Sequence, residues 1–209
     1  MQLINAETKI AKVVSILFHP IFVGLYGVLI LFSLNSYLAH QLPVNAKLLF
    51  ALLIFVLTCC LPMLFLLMLR SSGYISSYII EDKKQRTVPY FVTLIFYLST
   101  YFMLTKNDFP TVLSAFVFSA SLVLLATLLI NFIWKISAHM MAMGALVASV
   151  YAMGLRFDVN ILFFLALSVL IAGVVGFARL ALKAHTPTQV YIGFVLGFLI
   201  QLLCFFRMV

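Results

Sequence analysis

Three short polar stretches interrupt an otherwise apolar chain, and each carries residues that can handle an oxyanion. They are EDKKQRTVP (residues 81–89), KISAHMMAMG (135–144) and ARLALKAHTPTQ (178–189). Together they offer Lys84, Arg86 and Arg179 as cations, Ser137 as a hydroxyl donor, and His139 and His185 as imidazoles. Arginine and lysine bind phosphate through charge-assisted hydrogen bonds, arginine often in a two-pronged fork. A phosphoryl group in transfer spreads negative charge over its oxygens, so clustered donors stabilise it most in the transition state. Two histidines can then divide the work, one attacking phosphorus and the other protonating the leaving oxygen.

The local sequence explains how two of these groups would be held. In TPTQ, Pro187 suits the first position of a helix, with Thr186 as its N-cap and Gln189 three residues on. That is the T-x-x-Q form of a capping box. It places His185 just ahead of a helix N-terminus, where the helix dipole favours an anion. Ser137 stands in the same relation to the helix that follows KIS, as a candidate N-cap.

The elements around these stretches are membrane spans. Of 209 residues, 66% are hydrophobic and 9% charged, with a mean hydropathy of +1.23. A soluble domain needs more surface charge than this. Several unbroken apolar runs reach the roughly 20 residues needed to cross a bilayer, and their length argues against a transmembrane barrel. The expected fold is all-α: one polytopic helical bundle of six to seven spans, with no linker over residues 1–209. The spans are expected near Ala11–Ala39, Ala46–Arg70 (kinked at Pro62), Tyr90–Thr105, Thr111–Trp134, Ala138–Leu155, Ile161–Leu182 and Pro187–Phe206. Pairs of small residues four apart, Ala172 with Gly176 and Gly193 with Gly197, mark faces for close helix packing. No cleavable leader stands out.

Seven spans put all three polar stretches on the side of the N-terminus. With Lys83, Lys84, Arg86, Arg179 and Lys183 set aside, Lys9, Lys12, Arg70 and Lys135 remain there, against Lys47, Lys106, Arg156 and Arg207 opposite. Charge bias therefore leaves open which side the site faces. The net charge of +8 sits at the ends of apolar runs, which points to lipid head groups or anionic substrates rather than nucleic acid. Cys59, Cys60 and Cys204 lie within apolar runs and form no metal-ligand pattern. Asp82, Asp108 and Asp158 stand apart from one another, so no carboxylate cluster invites a metal ion, and no cofactor is implied.

Arg179 followed after five residues by His185, with a helix behind it, resembles the third motif of the type 2 phosphatidic acid phosphatase (PAP2) superfamily, SRxxxxxHxxxD. ISAH, Ile136 to His139, is similar to the second motif, PSGH, and KQRTVP is a loose echo of the first, KxxxxxxRP. The resemblance implies a lipid phosphatase, a hydrolase working through a phosphohistidine. In it His185 is the nucleophile, His139 the general acid, and Arg86, Ser137 and Arg179 hold the phosphate, with Lys84 a further candidate. An integral location in a bacterial inner (plasma) membrane is the matching expectation. Several family positions differ here: serine is Ala178, proline is Ile136, glycine is Ala138 and aspartate is Gln189. The aspartate of such motifs orients and charges the nucleophilic histidine. Gln189 can orient it, and Glu81 or Asp82 is the candidate source of the missing charge.

Plainer readings stand beside these. Lys183 reads as an interfacial anchor, Gln189 is fully explained as a helix cap, and His40 belongs to a loop. His19, inside the first apolar run beside Pro20, is either functional or a packing and kink feature. If catalysis is lost, the same chain is a degenerate relative that binds or transports an anionic lipid.

Overall fold

The computed structural model describes residues 2–34, 36–75, 80, 83–107 and 109–208. Among them the chain is all-helical: α1 (Gln2–Leu17), α2 (Pro20–Ser33), a short α3 (Tyr37–Gln41), α4 (Val44–Ile54), α5 (Leu61–Ser71), α6 (Lys83–Lys106), α7 (Thr111–Ile133), α8 (Ala138–Phe157), α9 (Leu162–Ala181) and α10 (Pro187–Met208). Six helical stretches are long and apolar enough to cross a membrane, and a seventh span results if α1 and α2 are one bent crossing. The protein is a polytopic membrane bundle.

The first apolar run is not one straight span. It breaks at His19, and α1 and α2 meet at 60°. Pro20 cannot donate to the preceding turn and pushes the residue before it into extended backbone. His19 adopts φ −62°, ψ 139°, and its Nδ1 accepts the N–H of Ile21, capping α2. The sharp bend thus places a histidine at an internal helix start.

Pro62 has a different outcome from the expected simple kink. The helix from Val44 to Ser71 continues through it, but the six residues before α5, Phe55–Cys60, widen into a π-helical turn. Such a turn accommodates the N–H that proline lacks without ending the helix. Within it Thr58 Oγ1 donates to the Ile54 carbonyl at 2.7 Å, and Cys59 Sγ donates to the Ile21 carbonyl at 3.1 Å, tying the turn to α2.

The third expected span starts earlier than hydropathy suggests. α6 begins at Lys83 and carries Pro89 inside it, so the last seven residues of the stretch expected to be polar, Lys83–Pro89, are helix. Pro89 lies early enough in α6 to cost one backbone hydrogen bond near the end, and the remaining ladder is satisfied below it. The consequence is a fixed position for Arg86, on a helix rather than in a loop.

α8 is the centre of the bundle, with two-thirds of its span buried, and α10 is its most extensive partner. The two backbones approach closely where side chains are missing. A Cβ at Gly197 would strike the carbonyl of Met141, and one at Gly144 the carbonyl of Phe194. The expected Gly193–Gly197 face is therefore the α8 contact face, and Gly193 packs against the Ser137 carbonyl. Ala172 and Gly176 lie buried on the face of α9 that meets Met140 and Val190.

Candidate functional site

A cavity of about 450 Å³ opens among α1, α2 and α5–α10. Its polar end is formed by Ser15, His19, Arg86, Tyr90, His139, Arg179 and His185, and most of the remaining wall is aliphatic and aromatic. Residues from four helices (α1, α6, α8 and α9) and two interhelical junctions thus converge on one end of one cavity.

Arg179 is supplied by the last turn of α9 and is 3% exposed. One Nη donates to Ser15 Oγ at 3.1 Å. Its Nε is buried and meets no acceptor among the described residues. Arg86, 7% exposed, borders the same end of the cavity, and its charge acts on Arg179. Its Nε donates to the Ile80 carbonyl at 2.7 Å. Two buried like charges beside a cavity repel one another and are poorly solvated, and an anion between them relieves both costs.

The three histidines have assignable protons. Gln189 Oε1 accepts the backbone N–H of Thr186 at 3.2 Å, which fixes that atom as the amide oxygen. The same oxygen is 3.1 Å from His185 Nδ1, so Nδ1 carries a proton and donates. His185 Nε2 is left with its lone pair. His139 Nε2 is 3.0 Å from the Ser15 carbonyl, which can only accept, so His139 is protonated at Nε2 and free at Nδ1. In His19 Nδ1 is the acceptor, leaving its proton on Nε2. The His19 and His139 rings meet edge to face at 5.4 Å between centroids.

Burial, with Arg86, Arg179 and Lys135 nearby, pushes the pKa of His185 down to about 4, against the opposing pull of its bond to Gln189. The imidazole is neutral at neutral pH, as a nucleophile requires.

The loop that presents His185 is closed by backbone geometry. Lys183 takes a left-handed φ of 51°, its N–H donates to Leu180 and that of Ala184 to Arg179. This is a helix C-terminal reversal of the Schellman kind, and it turns the chain so that His185 folds back to the same cavity end as Arg179. The capping box expected at TPTQ forms: Gln189 N–H donates to Thr186 Oγ1 at 3.4 Å while Gln189 returns to the Thr186 N–H. Lys183 is exposed, in keeping with an anchor.

Other expected site residues lie elsewhere. Ser137 occupies the N-cap position of α8, but its side chain makes no capping bond, and its buried Oγ has no partner among the described residues. It does not border the cavity, because the backbone at φ −83°, ψ 102° aims Ala138 and His139 there instead. Lys84 is exposed on α6 and is also absent from the cavity wall, since Arg86 occupies the inward face of that turn. Glu81 and Asp82 lie outside the described residues. Ser15, Tyr90 and Gln201 join the wall without any sequence motif to mark them. Of the three, only Gln201, a polar residue deep in an apolar run, carries a signal in the sequence.

Comparisons against protein-family models, curated proteins and solved structures found no match to this chain.

Proposed function

We propose that the protein is a membrane lipid phosphatase of the type 2 phosphatidic acid phosphatase kind, acting on a lipid phosphate or pyrophosphate through a phosphohistidine. The observation that carries this reading is the convergence of His185, His139, Arg86 and Arg179 at the polar end of a largely apolar cavity. A phosphate head would sit between the two guanidinium groups, with its chain along the apolar wall. In the first step His185 Nε2 forms a bond to phosphorus while the bond from phosphorus to the lipid oxygen breaks. That oxygen takes a proton from His139, which acquires it at Nδ1 when the anionic head binds. In the second step a water gives its proton back to His139 and attacks phosphorus, breaking the N–P bond and releasing phosphate.

The test is phosphate release from a panel of lipid phosphates by the purified protein, beside His185→Ala and Arg179→Ala. Release lost in both variants supports the enzyme. A plasma-membrane location in a bacterium accords with this reading.

One observation favours a second reading, a non-catalytic protein that binds or transports an anionic lipid. Gln189 is the partner of His185 Nδ1, and an amide orients an imidazole without stabilising the imidazolium that attack creates. Retained lipid binding with no release from any substrate would select it.

A further inference from the structure

The far part of the same cavity is not uniformly apolar. Gln201 of α10 is fully buried there, and its Nε2 donates to Ser119 Oγ at 2.8 Å and to Ser149 Oγ at 2.9 Å. Those hydroxyls pass their own protons to backbone carbonyls, Ser119 to Ala115 and Ser149 to Ala145. The amide group therefore ties α7, α8 and α10 together with its nitrogen alone. Its oxygen, Oε1, is buried without a donor among the described residues, and Gln201 borders the cavity. A role in helix packing accounts for the nitrogen and leaves the oxygen unused.

The depth of this group follows from helix rise. Ser149 lies ten residues below His139 on α8, and Gln201 fourteen below Pro187 on α10. At 1.5 Å per residue that is roughly 15–21 Å from the cationic end, between about half and two-thirds of the ~30 Å hydrocarbon thickness of a bilayer. A chain anchored at the cationic end and matched to one leaflet would bring its far end to Gln201.

We propose that Gln201 Oε1 is a hydrogen-bond acceptor for the distal end of the bound chain, and that the ligand is a lipid carrying a hydroxyl or comparable donor near the end of its apolar tail. The inference rests on the phosphate reading only for where the chain begins. Lost hydrogen bonds in an apolar site discriminate strongly, because the donor of a wrong ligand or the acceptor of the protein is left unpaired.

The experiment measures binding to the protein in nanodiscs by titration calorimetry, corrected for empty discs. It uses matched straight-chain probes of roughly 10–16 carbons, the length of one leaflet. Alkyl phosphates are compared with their ω-hydroxy counterparts, and 1-alkanols with the corresponding α,ω-diols. The wild-type protein is expected to bind the ω-hydroxy member about tenfold more tightly, and Gln201→Met to bind both members alike. Equal affinities in the wild type, or a preference that survives Gln201→Met, would overturn the proposal. A wild-type series with the hydroxyl moved along the chain needs no variant, and affinity that does not peak near the distal end would also overturn it. If the diols show the preference while no phosphate probe binds, the chain subsite stands and the phosphate reading falls.

Discussion

One oxygen holds His185 and its helix together: Gln189 Oε1 accepts from His185 Nδ1 at 3.1 Å and from the Thr186 backbone at 3.2 Å. The capping box and the orientation of the proposed nucleophile are thus one structure. Gln189→Glu keeps both acceptors and adds the charge that an imidazolium needs, so turnover is expected to rise. Gln189→Leu removes both, and is expected to lower kcat by about 10–100-fold and helix stability by about 1 kcal/mol. Phosphate release and thermal unfolding in detergent check the two effects separately.

The low pKa of His185, about 4, sets a pH dependence. Its folded value lies below the ordinary histidine value near 6.5, so the folded protein binds fewer protons than the unfolded chain between these limits. On the proposed mechanism, His185 stays neutral and able to attack down to about pH 4 in the free protein. The acid limb of kcat/KM, which reports the free enzyme, is expected near 4, and a limb near 6.5 assigned to His185 would contradict it. Stability from this group is full above about pH 6.5 and falls as pH drops toward 4.

Arg179 and Ser15 make a graded pair. Arg179→Lys keeps a charge but loses the planar fork, and is expected to lower kcat/KM by roughly 100-fold. Ser15→Ala removes the hydroxyl that receives an Arg179 Nη while sparing the carbonyl that fixes His139. It is expected to cost only about fivefold, in line with one hydrogen bond near 1 kcal/mol. Steady-state kinetics on one lipid phosphate would rank the two.

The α8–α10 contact leaves no room for a methyl group at Gly197, where a Cβ meets the Met141 backbone rather than a side chain that could move. Gly197→Ala is expected to destabilise the bundle by about 1–3 kcal/mol. By contrast, Lys183→Gly should be neutral or slightly stabilising, because φ 51° is left-handed backbone that glycine adopts freely. Thermal unfolding of both variants in one detergent checks the contrast.

Much of this bundle is legible in the residues. Apolar runs beginning at Thr111, Ala138 and Pro187 start helices at those residues, because unbroken hydrophobicity and the prolines beside two of these starts act locally. TPTQ likewise announces its capping box, and Arg179 and His185, six residues apart, are brought to one cavity by a helix end and a reversal. The failures are of two kinds. Hydropathy reads charge as loop, so the start of α6 at Lys83 is hidden by its own polar residues, and apolar continuity hides the break at His19–Pro20. Side-chain direction and long-range contact have no local signal: Ser137 has an N-cap's backbone without its bond, and Ser15 meets His139 and Arg179 across 124 and 164 residues.

The central claim is that His185 Nε2 attacks phosphorus, and trapping the intermediate tests it most directly. The protein would be mixed with a phosphate-labelled lipid phosphate, quenched in base within the first turnover, digested and sequenced by mass spectrometry. Phosphate on His185, lost in His185→Ala and retained longer in His139→Ala, is the predicted result. Phosphate release with no label on His185, or undiminished release by His185→Ala, would contradict it.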